Sequence, residues 1–264
     1  MEKSNAQKTF GTLKGKKILI VDDEQLNQLV IKNMIKLWGA ECETAEEGNS
    51  AFKKIFDNNY DIILMDLMMP GLDGYQTAQK IRKEINPPKN QVPILALTGS
   101  TSGASIEKLS ESGINDFAAK PFKIEELHAK ITKLIFGVES KTDIQVSSDQ
   151  DFINLDYLKE SAGNNPSLIK DIINIFLDQT PGFISQIEDA VKSENWEDAK
   201  TFAHKMKPTV SYVGISSLVE IIKNIEDYSE EKIHLEKIPG LVKDLKTGCQ
   251  TAFIELKKEL LRIQ

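Results

Sequence analysis

Five short strand-like runs alternate with helical patterns between residues 16 and 136, and this alternation constrains the fold more than any other feature of the chain. A run that is apolar throughout, such as Ile62 to Met65, is typical of a strand buried on both faces. The five runs lie at 17–21, 40–44, 61–65, 92–97 and 115–119. Strands that alternate with helices form parallel, doubly wound sheets with right-handed crossovers. The sequence therefore predicts a five-stranded α/β domain over residues 16–136.

The part of the chain beyond residue 151 has a different pattern, with helical periodicity throughout and no convincing strand. Apolar residues such as Leu168, Ile172 and Ile175 recur there at steps of three and four. Stripes of this kind bury against one another, and the simplest arrangement is an antiparallel four-helix bundle. We therefore predict an all-α domain over residues 152–264, with a short leading helix near 154–162.

Residues 137–151 separate the two predicted domains and are polar, acidic and aperiodic. Such a segment is typical of a flexible linker, with a root-mean-square span of roughly 20 Å. A chain of 264 residues is long enough for about two domains, in agreement with this division.

The composition excludes several classes of function. The net charge is −7 and no segment is a block of basic residues, so direct nucleic-acid binding is not expected. No stretch reaches the about 18 consecutive apolar residues of a membrane span, and the N-terminus lacks the apolar core of a signal peptide. Cys42 and Cys249 lie far apart and predict free thiols in a reducing compartment. We therefore expect a cytoplasmic protein.

Polar side chains stand at the ends of four of the predicted strands. Asp22 and Asp23 follow the first strand, Asp66 the third, Thr98 the fourth and Lys120 the fifth. In open parallel sheets ligands bind beyond the carboxyl ends of the strands, and a flavodoxin-like strand order would bring these four ends together. Three clustered carboxylates need compensation, which Mg²⁺ and the Lys120 ammonium would supply. A carboxylate flanked by a lysine and a hydroxyl is arranged to attack a phosphoryl group.

Each of these residues also has a plainer explanation when it is taken alone. Asp22 and Asp23 are suitable as a helix cap, Thr98 as a turn residue and Lys120 as a solvated charge. Their joint placement at the correct strand ends is what favours a phosphoryl-transfer site.

Four sequence motifs then establish a resemblance to a known family. They are VDDE at 21–24, LMDLMMPGLDGY at 64–75, ALTGS at 96–100 and AAKPF at 118–122. On these motifs, residues 16–136 resemble a response-regulator receiver domain. The resemblance implies that Asp66 accepts a phosphoryl group. It also implies that Asp23, Asp66 and the backbone carbonyl of Met68 bind Mg²⁺, assisted by Asp22.

The same resemblance implies a switch close to the phosphoryl group. Lys120 would pair with the phosphoryl oxygens, and Thr98 would hydrogen-bond to them after a shift of its loop. Phe117 occupies the position of the family's aromatic switch residue, and the peptide bond between Lys120 and Pro121 would be cis. Gly99 stands where such domains more often have alanine.

His204 is the histidine with the most reactive neighbourhood in the sequence. Lys200 and Lys207 share its helical face at i−4 and i+3, and Lys205 is adjacent. Nearby cations disfavour the imidazolium and attract a phosphoryl anion. The alternative interpretation is an exposed helical histidine among solvated lysines.

The segment AHKMKPTVSYVG at 203–214, on a predicted all-α domain, resembles a histidine-containing phosphotransfer (HPt) domain. The resemblance covers about residues 152–264 and implies that His204 carries the phosphoryl group, supported by Lys200, Lys205 and Lys207. Pro208 stands where the family often has glycine.

Together these features predict a two-component phosphorelay protein, a signalling phosphocarrier in which Asp66 and His204 are the carriers. A separate histidine kinase, or kinase segments absent from this sequence, would supply the phosphoryl group to Asp66, since no ATP-binding kinase domain fits in the remaining residues. A receiver, its own or a downstream one, would exchange it with His204. Two alternatives stay open: a phospho-switched module whose bundle only docks partners, and a Mg²⁺-dependent phosphatase that uses Asp66 as nucleophile. The second is disfavoured because Met68 stands where such enzymes have a general acid, and it cannot transfer protons.

Overall fold

The computed structural model describes residues 13–99, 106–120, 124–137 and 153–263. Within these ranges, residues 106 and 161 are described by their backbone only. The chain divides into two compact units, residues 1–143 and 144–264. This division falls inside the predicted linker at 137–151, while the bounds of the two predicted domains stay predictions.

The first unit is built on a parallel sheet of five strands in the order β2-β1-β3-β4-β5. The strands are β1 (Lys17–Val21), β2 (Glu41–Ala45), β3 (Ile62–Asp66), β4 (Ile94–Thr98) and β5 (Asp116–Ala119). Ile18 of β1 pairs with Cys42 of β2 on one side and with Ile62 of β3 on the other. The predicted flavodoxin-like sheet is confirmed.

The helices of the first unit bury apolar stripes against this sheet. They are α1 (Gln25–Leu37), α2 (Gly48–Asp57), α3 (Gly74–Glu84), α4 (Ile106–Glu111) and α5 (Ile124–Phe136), and a short 3-10 turn spans Lys89–Gln91. In α1, for example, Val30, Ile31 and Met34 are buried at steps of one, three and four, as an amphipathic helix requires.

The central strands β3 and β4 are buried along their whole length. The sequence predicts that Asp66 and Thr98 directly follow these strands, but each is the last residue of its strand. The reason is that backbone pairing continues past the apolar residues, with Asp66 opposite Leu97 and Thr98 opposite Ala119. Both polar side chains are therefore buried at the edge of the sheet.

The second unit is a bundle of four long helices preceded by a short one. The helices are α6 (Leu155–Ser161), α7 (Pro166–Lys192), α8 (Trp196–Tyr212), α9 (Ser216–Glu231) and α10 (Ile238–Arg262), with a 3-10 turn at Leu235–Lys237. Each long helix packs against two others, because α8 and α10 both contact α7 and α9. Phe176, Val210, Ile225 and Leu245 are fully buried between them. The predicted four-helix bundle with a short leading helix is confirmed.

Two prolines lie inside the long helices without ending them. α7 continues through Pro181 and α8 through Pro208. Each proline removes one backbone donor from its helix, and the packing of the bundle maintains the remaining turns. Within the described ranges, every helix is too short or too polar to span a lipid bilayer.

Candidate functional sites

Polar side chains from four strands of the sheet come together at its carboxyl edge. Asp22 follows β1 directly, Asp66 and Thr98 end β3 and β4, and Lys120 follows β5. Nζ of Lys120 donates to Oδ2 of Asp22 at 2.7 Å and to Oδ2 of Asp66 at 2.8 Å. One ammonium group thus joins two carboxylates that are almost completely shielded from solvent.

Burial controls the ionisation of this cluster. Burial raises the pKa of Asp22 to about 6, a shift that the Lys120 charge opposes and the neighbouring Asp66 carboxylate increases. Burial alone would lower the pKa of Lys120, but the charges of Asp22 and Asp66 outweigh it and hold that pKa above its ordinary value. One lysine facing several carboxylates leaves an excess of negative charge, which a further cation would relieve.

The three aspartates can hold a metal ion. Asp22, Asp23 and Asp66 each offer a carboxylate oxygen, and these oxygens lie within 4.8 Å of one another. Oxygen ligands and surplus negative charge suit a hard divalent cation. The remaining predicted ligand is the carbonyl of Met68, in the loop after β3, where the Met68 N–H donates to Oδ1 of Asp66 at 3.2 Å. The role of Met68 as a ligand stays a prediction.

The loop after Asp66 returns closely to the end of β3 at Gly74. A Cβ atom at Gly74 would overlap the backbone oxygen of Asp66 and lie 2.8 Å from Cα of Leu67. Gly74 also begins α3, whose N-cap Asp73 forms a capping box with Gln76. A glycine is therefore needed for α3 to begin this close to Asp66.

We expect Gly74→Ala to lower the free energy of unfolding of the first unit by about 3 kcal/mol, because the added methyl meets rigid backbone. It should also weaken Mg²⁺ binding, since Asp66 must move. Gly71→Ala is the matched control: its Cβ would meet nothing within 4 Å, so only its positive φ contributes, about 1–2 kcal/mol. Urea unfolding and an NMR titration with Mg²⁺ measure both effects. Equal Mg²⁺ affinities in the two variants would contradict this account of Gly74.

The two predicted switch residues, Thr98 and Phe117, lie on the neighbouring strands β4 and β5. The Thr98 side chain is buried, and its backbone oxygen accepts the N–H of Lys120 at 2.6 Å. Phe117 is half-buried against the core of the first unit, with Nζ of Lys130 5.5 Å from its ring centroid. Their roles in a switch stay predictions. The predicted cis peptide bond involves Pro121, which lies outside the described residues.

A second site lies in the bundle, where His204 of α8 contacts a carboxylate of α9. Nδ1 of His204 is 2.7 Å from Oε1 of Glu226, and Nζ of Lys207 donates to Oε2 of the same carboxylate at 2.8 Å. The side chains of Glu226 and Lys207 are each 7% exposed, whereas that of His204 is 20% exposed. The imidazole is therefore partly open to solvent while its Nδ1 is held within the bundle.

The charge state of Glu226 determines which ring nitrogen of His204 carries the proton. Burial by itself would raise the pKa of Glu226, but the hydrogen bond with His204 and the charge of Lys207 outweigh burial and lower that pKa to about 2. An ionised carboxylate can only accept hydrogen bonds, so Nδ1 must donate. In the neutral imidazole, Nε2 then holds the lone pair and is the nitrogen that remains available to react.

The three predicted lysines around His204 are arranged differently from what the sequence suggested. Lys207 points to Glu226, Lys200 pairs with Glu230 at 3.0 Å, and Lys205 is half-buried. The sequence identified only cations near His204, and the structure adds a carboxylate, that of Glu226, which touches its ring. Whether the lysines also contact a phosphoryl group stays a prediction.

Glu226 is the residue of this second site that spacing along the sequence missed. Helical spacing identifies neighbours three or four positions away, whereas Glu226 lies 22 positions from His204, on another helix. One indication of a buried contact was available, because Glu226 lies on the same inward-facing stripe of α9 as the buried residues Ile222, Ile225 and Ser229. An acid on such a stripe needs a partner, which indicates a buried polar contact.

Comparison with known protein families matches both halves of the chain. Residues 18–132 match the response regulator receiver domain, and residues 171–263 match the Hpt domain. The chain thus contains a receiver domain followed by an Hpt domain, two phosphotransfer modules, as the sequence motifs predicted.

Several curated relatives align with most of this chain and are much longer proteins. The signal transduction histidine-protein kinase BarA of Escherichia coli (strain K12) is 25% identical over 217 residues, which cover 79% of this chain and 23% of BarA. The aerobic respiration control sensor protein ArcB of the same strain is 24% identical over 217 residues, covering 79% of this chain and 27% of ArcB. The receiver–Hpt chain thus spans about a quarter of the length of these relatives.

Two further similarities are confined to about half of the chain. The osmosensing histidine protein kinase SLN1 of Saccharomyces cerevisiae is 37% identical over 131 residues, covering 47% of this chain and 10% of SLN1. Among solved structures, the receiver domain of the sensor histidine kinase PA1611 from Pseudomonas aeruginosa PAO1 is 36% identical with a TM-score of 0.43, covering 46% of this chain and 98% of that one. That receiver domain has a magnesium ion coordinated in its active-site cleft.

Proposed function

We propose that this chain relays a phosphoryl group through two carriers, Asp66 in the receiver domain and His204 in the Hpt domain. The observation that supports it best is that each domain presents one nucleophile that is hydrogen-bonded to a charged side chain. Asp66 is paired with Lys120, and His204 is paired with Glu226. In this proposal the chain is a signalling phosphocarrier and not a turnover enzyme.

The receiver half supplies the electrostatic stabilisation that phosphoryl transfer requires. Asp22, Asp23, Asp66 and the carbonyl of Met68 would hold Mg²⁺, which when bound neutralises charge on the phosphoryl oxygens. Lys120 is already placed within 2.8 Å of Asp66, so its ammonium can pair with a phosphoryl oxygen after small rearrangement. The Thr98 hydroxyl, at the end of the neighbouring strand, would donate to another.

Asp66 would receive the phosphoryl group from a phosphohistidine of a histidine kinase. A carboxylate oxygen of Asp66 attacks phosphorus, a P–O bond forms and the P–N bond of the donor breaks. The electron pair of that bond remains on the donor imidazole. In-line geometry and charge neutralisation dominate such a step, and both are properties of the receiver half.

His204 would exchange the phosphoryl group with an aspartyl phosphate of a receiver, its own or a downstream one. The lone pair on Nε2 attacks phosphorus, the P–O bond to the aspartate breaks and the aspartate leaves as a carboxylate. Glu226 keeps the ring proton on Nδ1 throughout, so the nucleophilic nitrogen needs no base. It also stabilises the positive charge that develops on the ring as the P–N bond forms.

The proposal is tested with two single-carrier variants, Asp66→Asn and His204→Gln. Phosphoramidate labelled with ³²P, a small P–N donor, should label both sites of the wild-type chain in the presence of Mg²⁺. Asp66→Asn should lose the base-labile label of an acyl phosphate, and His204→Gln the acid-labile label of a phosphohistidine. When labelled Asp66→Asn is freed of donor and mixed with unlabelled His204→Gln, the label should move from the acid-labile to the base-labile form.

The alternative in which the bundle only docks partners makes a different prediction. It expects no acid-labile label on the wild-type chain and no effect of His204→Gln. Absence of label on both sites would contradict the relay in any form.

A further inference from the structure

Asp22 is held from α1 as well as from the sheet. Its Oδ1 accepts from the backbone N–H of Glu24 and from Nδ2 of Asn27, both at 2.9 Å. Its Oδ2 accepts from Lys120 at 2.7 Å. The two carboxylate oxygens of Asp22 thus have different partners. The amide of Asn27 holds Oδ1 on the side of α1, which leaves Oδ2 to face Lys120.

The burial of α1 shows that this contact is a specific one. Seven residues of α1 are buried: five are apolar, and the two polar ones are Asn27 and Gln28. Both polar residues donate to Asp22, Asn27 to the side chain and Gln28 to the backbone oxygen at 2.6 Å. A buried amide is unfavourable unless it is hydrogen-bonded, and the amides of both buried polar residues of α1 find their partner in Asp22.

We infer that Asn27 is a positioning residue of the acidic site: it fixes the rotation of the Asp22 carboxylate and thereby presets the three-aspartate cluster for a divalent cation. This inference rests on the proposed Mg²⁺ site. A carboxylate held through one oxygen by two N–H donors cannot rotate freely, so less order has to be imposed when a cation binds. Groups that hydrogen-bond to metal ligands typically contribute about 10- to 100-fold to metal affinity.

Gln28 provides a control that distinguishes positioning of the Asp22 carboxylate from anchoring of α1 to the sheet. Its amide ties α1 to the backbone of Asp22 and also lies 3.4 Å from the backbone oxygen of Ala45, without touching the Asp22 carboxylate. Loss of Gln28 should therefore loosen α1 and leave the carboxylate held. Asn33 is a second control, because its buried Nδ2 has no hydrogen-bond partner within the described residues.

The test is an NMR titration of the full chain with Mg²⁺, following the backbone amides of Asp22, Asp23 and Asp66. Asn27→Ala and Asn27→Leu, the second of which roughly keeps the side-chain volume, should each weaken Mg²⁺ binding by about 10-fold or more. Gln28→Ala and Asn33→Ala should bind Mg²⁺ as the wild type does. Thermal unfolding in EDTA reports separately on how far each variant is destabilised without metal.

The outcomes are distinguishable. If the wild-type amides do not respond to Mg²⁺, the proposed metal site itself is contradicted. Equal affinity of the wild type and the Asn27 variants overturns only the role of Asn27, as does an equal loss in Gln28→Ala. Failure of both Asn27 variants to fold also overturns it, since Asn27 would then be a residue of the core and not of the site.

Discussion

Replacing Lys120 by methionine is expected to lower the free energy of unfolding of the receiver domain by about 3–5 kcal/mol, because it leaves buried carboxylates without their counter-ion. Asp22 and Asp66 are both almost completely buried, and Lys120 is the cation that contacts both. The same substitution should abolish phosphorylation of Asp66 if Lys120 pairs with the phosphoryl oxygens.

The pH dependence of this loss has a definite sign. Burial already raises the pKa of Asp22 to about 6 with Lys120 present, and removal of the opposing charge of Lys120 raises it further. A carboxyl group whose pKa is higher in the folded than in the unfolded chain takes up a proton on folding, so stability falls as the pH rises between the two values. The cost of Lys120→Met should therefore be greater at pH 8 than at pH 5, and saturating Mg²⁺ should recover part of it.

The two tryptophans of the chain make this measurement possible domain by domain. Trp38 lies at the end of α1 in the receiver domain, and Trp196 begins α8 in the Hpt domain. In a Trp196→Phe background, urea unfolding followed by fluorescence reports on the receiver domain alone. Lys130→Met is the matched control, because Lys130 pairs with Asp116 at a half-exposed position, where an ion pair contributes about 0–1 kcal/mol. Equal costs for the two lysine variants would show that Lys120 is not a buried counter-ion.

The acidic site could be predicted from the sequence because its residues share a simple rule of position. Asp22, Asp66, Thr98 and Lys120 stand at the ends of strands, and parallel strands place all such ends at one edge. Patterns of alternating or continuous apolar residues locate the end of a strand to within a residue or two. Asp66 and Thr98, for example, are predicted to follow their strands but are the last residues of them. An error of that size leaves the cluster intact.

Asn27 and Glu226 could not be predicted in the same way, because their contacts depend on which face each helix turns towards its neighbour. Asn27 lies beside apolar Leu26 in α1, and only the packing of α1 on the sheet turns its amide towards Asp22. Glu226 belongs to α9, and its contact with His204 depends on how α8 and α9 are placed side by side. Patterns within one element do not contain that information.

Replacing Glu226 by glutamine is expected to lower the free energy of unfolding of the Hpt domain by roughly 3 kcal/mol at pH 7 and to slow phosphoryl transfer to His204. The shift of the Glu226 pKa from 4.5 to about 2 corresponds to an energy of that size. Buried Lys207 would also lose the carboxylate that neutralises it. Glu230→Gln is the matched control, because Glu230 is 57% exposed and its pair with Lys200 should contribute less than about 1 kcal/mol.

The stability that Glu226 contributes should depend on pH in the opposite sense to that of Asp22. A carboxyl group with a lowered pKa in the folded state stabilises the fold above its unfolded pKa, and that contribution is lost as the pH falls through its folded pKa. The difference in stability between wild type and Glu226→Gln should therefore be constant above about pH 5 and decline between about pH 4 and pH 2. Unfolding followed by Trp196 in a Trp38→Phe background measures it, and a difference that persists to pH 2 would contradict the assignment.

The double variant Glu226→Gln with Lys207→Met separates the effect on stability from the effect on chemistry. Removing both charges should recover much of the lost stability, since no buried ion remains unpaired. It should not recover transfer, because the glutamine amide can either donate to Nδ1 or accept from it, and the ring proton is then shared between the two nitrogens. ¹⁵N NMR of the histidine rings should show Nδ1–H in the wild type and a mixture of tautomers in both variants. Full recovery of transfer in the double variant would mean that Glu226 acts only by neutralising Lys207, and that the orientation of the His204 proton has no part in the relay.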